Sequence, residues 1–86
     1  MKLRKNVALS ESGLLFNPVS GESFTVNPIG VEILTMIRDG KSREDILDHI
    51  LEKYSTDRST VEKDYHDFVG LLLHNNLLES HEEANA

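Results

Sequence analysis

The chain has 86 residues, 38% of them hydrophobic, which suffices for one domain burying ~60–65% of its extended surface and is too little for two. Nine Lys and Arg against 15 Asp and Glu give a formal net charge of −6, which repels phosphate backbones and argues against a nucleic-acid partner, since no locally basic face is apparent. The absence of cysteine removes disulfides, thiolate catalysis and thiolate metal sites; with no apolar run of ~20 residues and no signal-peptide pattern after the basic start MKLRK, the expectation is a soluble cytoplasmic protein that does not enter a membrane.

In chain order, Asn6 to Leu9 and Leu14 to Phe16 read as short strands, followed by the turn dipeptides Asn17-Pro18 and Ser20-Gly21. The third strand is Glu22 to Val26. Its alternation puts Phe24 and Val26 on one side and Ser23 and Thr25 on the other. Three antiparallel strands joined this tightly form a meander, so the third is paired on one side only and an exposed edge is expected.

Asn27 is a suitable N-cap and Pro28 suits the first helical position, where its missing N–H has no partner to lose; Ile29, Ile33 and Ile37 form the apolar stripe of a helix that stops at Asp39-Gly40. A second helix opens at Ser42 with Asp45 three residues on, and buries Ile46, Leu47, Ile50, Leu51 and Tyr54. A third, capped by Asp57 or Ser59, runs to about Asn75. On it Val61, Tyr65, Phe68 and Leu72 share a narrow wedge, with Val69 and Leu73 on one flank and Leu71 on the other. That apolar arc spans about 200°, where a helix packed on one core needs roughly 100°, so part of it faces something besides the core. Leu77-Leu78 can fold back as a short strand or wing to close the domain, expected at residues 1–79, while SHEEANA at 80–86 reads as a disordered acidic tail. The fold class is α+β and winged helix-turn-helix-like: a three-stranded antiparallel sheet followed by a three-helix bundle.

The chemistry points away from catalysis. His49, His66, His74 and His81 lack the spacing of a zinc helix, so no metal or other cofactor is expected. The carboxylates lie on the polar sides of amphipathic helices, where nothing desolvates them for acid–base work, and the five glycines are too scattered to cradle a phosphate. A carrier protein would need an Asp-Ser-Leu attachment site, which DRSTV lacks. The alternative of a winged-helix DNA-binding regulator sets Glu62, Asp64 and Asp67 against Lys63 alone on the helix that would read the groove, which repels phosphates. What remains is a binding module: an open strand edge beside a surplus apolar helix flank suits an extended peptide added as a further strand, provided neither the N-terminal segment nor a second copy covers the edge.

The runs FTVNPIGVEIL, IRDGKSREDILDHILEKY and VEKDYHDFVGLLLHNNLLE resemble the PqqD-like family across residues 6 to 79. The shared pieces are Val26-Asn27, Gly30 before Ile33-Leu34, Asp39-Gly40, Ile46, Tyr54, Val61, Asp64, Phe68, Leu72 and Leu77-Leu78. The resemblance implies a non-catalytic peptide chaperone, or recognition element, for a ribosomally made, modified peptide. Such a protein binds the leader of the precursor peptide and presents it to a modifying enzyme, often a radical S-adenosylmethionine enzyme, as a monomer or dimer. Carried onto this chain, the peptide-binding strand positions are Ser23, Phe24, Thr25, Val26 and Asn27. The helical wheel adds Tyr65, His66, Val69 and Leu73, with Leu72 assigned to the core. Pro28 and Ile29 replace the more usual polar pair after Asn27, so another peptide system is as much an expectation as the quinone (PQQ) pathway that names the family.

Overall fold

A computed structural model describes residues 2–79, so the tail expected at 80–86 lies outside the described residues. The elements come in the expected order: β1 (Ala8–Leu9), β2 (Leu14–Asn17), β3 (Glu22–Thr25), α1 (Pro28–Arg38), α2 (Arg43–Lys53) and α3 (Arg58–His74). β1 is shorter than its alternation suggested because the chain turns at Lys5-Asn6, where the Val7 N–H donates to the Arg4 carbonyl at 3.1 Å.

The three strands form an antiparallel meander in the order β1-β2-β3. Ala8 lies opposite Phe16 and Leu9 opposite Leu15; Leu14, Leu15, Phe16 and Asn17 lie opposite Thr25, Phe24, Ser23 and Glu22. Facing residues share a side of the sheet, so Leu9, Leu15 and Phe24 look inward while Ala8, Leu14, Phe16, Ser23 and Thr25 look outward. Gly13 fixes the start of this arrangement. Its φ of +98° suits glycine, a Cβ there would stand 2.4 Å from the Val26 carbonyl oxygen, and its own carbonyl accepts the Val26 N–H at 2.7 Å.

Each helix begins on a side-chain cap. Asn27 Oδ1 accepts the Gly30 N–H at 2.8 Å, Ser42 Oγ accepts the Asp45 N–H at 3.1 Å, and for α3 the cap is Asp57, which accepts from the Thr60 N–H and hydroxyl. The hydroxyls of Ser59 and Thr60 on the Asp57 carboxylate hold its pKa down at about 2. Ile33, Leu34 and Ile37 of α1, Ile46, Leu47 and Ile50 of α2, and Val61, Tyr65 and Leu72 of α3 are buried together under Leu15 of the sheet. The closing segment joins them: Leu77 and Leu78 are buried, Leu78 bridges Leu3, and the Arg4 and Glu79 N–H groups donate to the Leu77 and Lys2 carbonyls at 3.0 and 2.9 Å. The ends of the domain are therefore tied to each other.

Candidate functional site

The geometry of β3 follows from its bond to Gly13. In an antiparallel ladder, bonded and non-bonded pairs alternate, so with Val26 bonded to Gly13 the backbone groups of Phe24 and Glu22 also face β2. Those of Ser23 and Thr25 face the other way. Among the described residues no strand pairs with β3 on that side. The N-terminal segment, which could have covered it, runs instead beside Leu77 and Leu78. The opposite edge of the sheet is the two-residue β1, too short to seat a guest strand.

α3 lies beside this edge with two different flanks. Glu62, His66, Val69 and Leu73 recur at i, i+4, i+7 and i+11, one stripe of the helix. That stripe meets α2: an Arg43 guanidinium nitrogen lies 3.3 Å from His66 Nε2 and 3.8 Å from a Glu62 carboxylate oxygen. Asp64, Phe68 and Leu71 belong to the other stripe, which meets the end of β3 and the start of α1. A recess of about 330 Å³ there is lined by Asn27, Ile29, Gly30, Ile33, Asp64 and Phe68. Gly30 permits the convergence, because a Cβ on it would stand 2.3 Å from Val26 Cγ1 and 3.3 Å from Phe68 Cζ. A second, smaller and more apolar recess shares Ile29, Ile33 and Asp64 with the first and ends against Tyr54 and Tyr65. Leu71, on the same stripe of α3 as Asp64 and Phe68, is 55% exposed.

The nine residues expected to bind a peptide divide accordingly. Ser23, Phe24, Thr25, Val26 and Asn27 are brought together along the open edge, with Phe24 and Val26 half-buried and the other three exposed. Asn27 has a structural duty as well, since its carboxamide caps α1. The four helix positions are spread over the core and the α2 side of α3. Tyr65 is 4% exposed and belongs to the core. His66 turns to Arg43, and Val69 and Leu73 are half-buried on the α2 side of the helix. The wheel separates the two flanks but does not say which one α2 covers, because that depends on the angle at which the two helices cross. The α3 residues that line the recess at the end of β3 are Asp64 and Phe68, and the legible signal for that approach is Gly30: a glycine in the first turn of an apolar helix marks a close approach.

Behind the recess, Glu32 of α1 collects three donors from the end of α2. His49 Nε2 and Lys53 Nζ lie 2.9 and 3.0 Å from Oε1, and the Tyr54 hydroxyl donates a short bond to Oε2. The Tyr54 bond chiefly, then those from His49 and Lys53, lower the Glu32 pKa from 4.5 to about 2. The same contact raises the pKa of Tyr54, whose phenol would lose its acceptor's favour on ionising. This cluster sets α1 against α2 and holds the Tyr54 ring at the end of the second recess. Among the described residues no group of three or more His, Asp or Glu is disposed to hold a metal ion, and no helix is long and apolar enough to cross a membrane.

Residues 12–78 match the model of the family described as coenzyme PQQ synthesis protein D, PqqD. The chain belongs to that family. A search of curated proteins gives no match. Among solved structures the chain is similar to TbiB1 in complex with the TbiA(beta) leader peptide, with 34% identity, a TM-score of 0.86, and coverage of 93% of this chain and 96% of that one. It is also similar to lasso peptide synthetase B1 complexed with the leader peptide, with 25% identity, a TM-score of 0.78, and coverage of 86% and 91%. The three-stranded sheet followed by three helices is thus the fold of this family and of both neighbours.

Proposed function

We propose that this protein is a recognition module that binds the leader of a ribosomally made precursor peptide as a fourth strand on β3 and holds it for a modifying enzyme, doing no chemistry itself. The observation that carries the reading is the outward-facing backbone of Ser23 and Thr25 beside the Asp64–Phe68–Leu71 flank of α3. Two similar structures, each solved with a leader peptide, support the same ligand class. Backbone bonds to Ser23 and Thr25 supply affinity without regard to sequence, and the recess under Asn27 and Phe68 takes the guest's inward side chains. The likeness to a lasso peptide synthetase component supports a lasso-type precursor over the quinone pathway that names the family; the partner is then a synthetase of that kind rather than a radical S-adenosylmethionine enzyme. The DNA-binding alternative is not favoured, because α3 carries Glu62, Asp64 and Asp67 in a chain of net charge −6.

Proline distinguishes strand addition from side-chain docking. At Thr25 it removes a donor that faces the guest and puts a ring in the guest's path, while the bonds of Phe24 and Val26 to β2 persist. With a labelled TbiA(beta) leader peptide as probe, fluorescence anisotropy is expected to show Thr25→Pro binding at least about a hundredfold more weakly than wild type, and Thr25→Ala within about threefold. Equal loss from both changes would argue against strand addition.

A further inference from the structure

The outward face of the sheet does not follow the usual division into an apolar inner and a polar outer side. Its central strand carries Leu14, 49% exposed, and Phe16, 39% exposed, both directed away from the core. Every neighbour on that face is small. Ala8 and Ser23 flank Phe16, and Thr25 lies beside Leu14 with Ser10 on the other side, where the Ser10 N–H donates to the Leu14 carbonyl at 2.9 Å. Two large apolar side chains thus stand between low rows, and no described residue covers them. Residues 80–86 carry no large apolar side chain with which to do so.

The register connects this patch to the open edge. Ser23 and Thr25, whose backbone faces a guest strand, are the same two residues whose short side chains point outward beside Phe16 and Leu14. A guest residue bonded to either one shares that outward face, at about 5.5 Å between Cα atoms, and lies two strands, about 10 Å, from the apolar pair. A serine or threonine between them leaves a shallow trough that a long apolar or aromatic side chain can cross, whereas a large residue in β3 would block it.

We infer that the peptide is read on both faces of the sheet: guest residues opposite Ser23 and Thr25 carry large apolar side chains that lie across these two residues onto Phe16 and Leu14. The ligand class is therefore an extended segment apolar at consecutive positions, its alternate side chains going to the α3 recess and to the outer patch. This rests on the strand-addition reading and adds a second specificity surface to it. The difference matters chemically, because a groove on one face selects only every second residue of a strand.

A displayed library of random twelve-residue peptides tests it, selected separately on wild type, on a Leu14→Thr/Phe16→Thr variant, and on Ser23→Leu, which fills the trough from within. Wild type is expected to enrich runs of four or more apolar residues. Both variants are expected to enrich an alternating apolar–polar pattern, and peptides selected on wild type should bind the double variant about tenfold more weakly. The retained alternating pattern shows that the variants are folded and that the edge still works. If all three proteins enrich the same pattern, or the double variant binds the wild-type peptides unchanged, the outer face is no part of the peptide site and belongs to another partner. Failure of strand addition itself looks different: Thr25→Pro would then enrich the same peptides as wild type, whatever their pattern.

Discussion

The two flanks of α3 are built from similar residues and meet opposite surroundings. On the α2 side, Arg43 and Arg58 tie the helices together: Arg43 approaches His66 and Glu62, and Arg58 reaches Glu44 at 2.7 Å, Glu62 at 3.1 Å and Asp48 at 3.6 Å. The apolar members of that stripe, Val69 and Leu73, finish against the core. On the β3 side, Asp64, Phe68 and Leu71 run past a strand whose outer backbone has no partner among the described residues. An apolar residue at a helix flank therefore says little by itself about binding. What separates packing from recognition is whether the facing element has already used its backbone and side-chain valences.

The largest contrast comes from placing one charge on each flank. Val69→Asp puts a carboxylate at a half-buried position that packs against the core, and is expected to destabilise the fold by about 2–4 kcal/mol, visible as a lower urea midpoint. Leu71→Asp puts the same group at an exposed position and should leave the midpoint within about 0.5 kcal/mol of wild type. Its effect belongs to binding, where a labelled TbiA(beta) leader should lose about tenfold in affinity. The comparison breaks if Leu71→Asp unfolds the protein while Val69→Asp is tolerated, because the flanks would then be exchanged.

This contrast also marks what could be read from the residues alone. Strand alternation, the turn dipeptides and the caps at Asn27 and Ser42 are local properties, and they give the order of all six elements and an open edge on the third strand. Tyr65 shares its wedge on the wheel with Val61, Phe68 and Leu72, and the packing of α1 and α2 around it leaves it 4% exposed in the core. The α2 coverage of Val69 and Leu73 is a helix-crossing property with no local signature. Glu32 was missed because its three donors come from residues 17 to 22 positions later, on another helix.

Glu32 gives the next effect in size and belongs to the tied side. A carboxylate whose pKa is lowered on folding stabilises the protein fully above its unfolded value of 4.5, and loses that contribution as pH falls from there through about 2. Its side chain is 21% exposed, so solvent screening reduces the contribution to about 1–2 kcal/mol. Glu32→Gln should lower stability by that amount at pH 7 and converge on wild type by about pH 2. Asp57 titrates in the same window, so the readout is the difference between the two proteins rather than the slope of either. A constant offset across the whole range would assign the role of Glu32 to hydrogen bonding alone.

The smallest effect is expected where the contacts are most numerous. Arg58 makes three ion pairs, yet its side chain is 44% exposed and its partners Glu44 and Asp48 more so. Charges held this close to water gain little over their hydrated state and lose side-chain freedom on pairing. Arg58→Ala should therefore shift the urea midpoint only slightly, with the shift gone in about 1 M salt, where the screening length is about 3 Å. Leader affinity should not change, because Arg58 lies at the α2 end of the helix and away from β3. A large loss that about 1 M salt removes would mean that charge rather than burial of Ile46, Leu47 and Leu72 holds α2 on α3. The tied flank would then owe its closure to the ion pairs, and removing them would open a second apolar groove beside Val69 and Leu73.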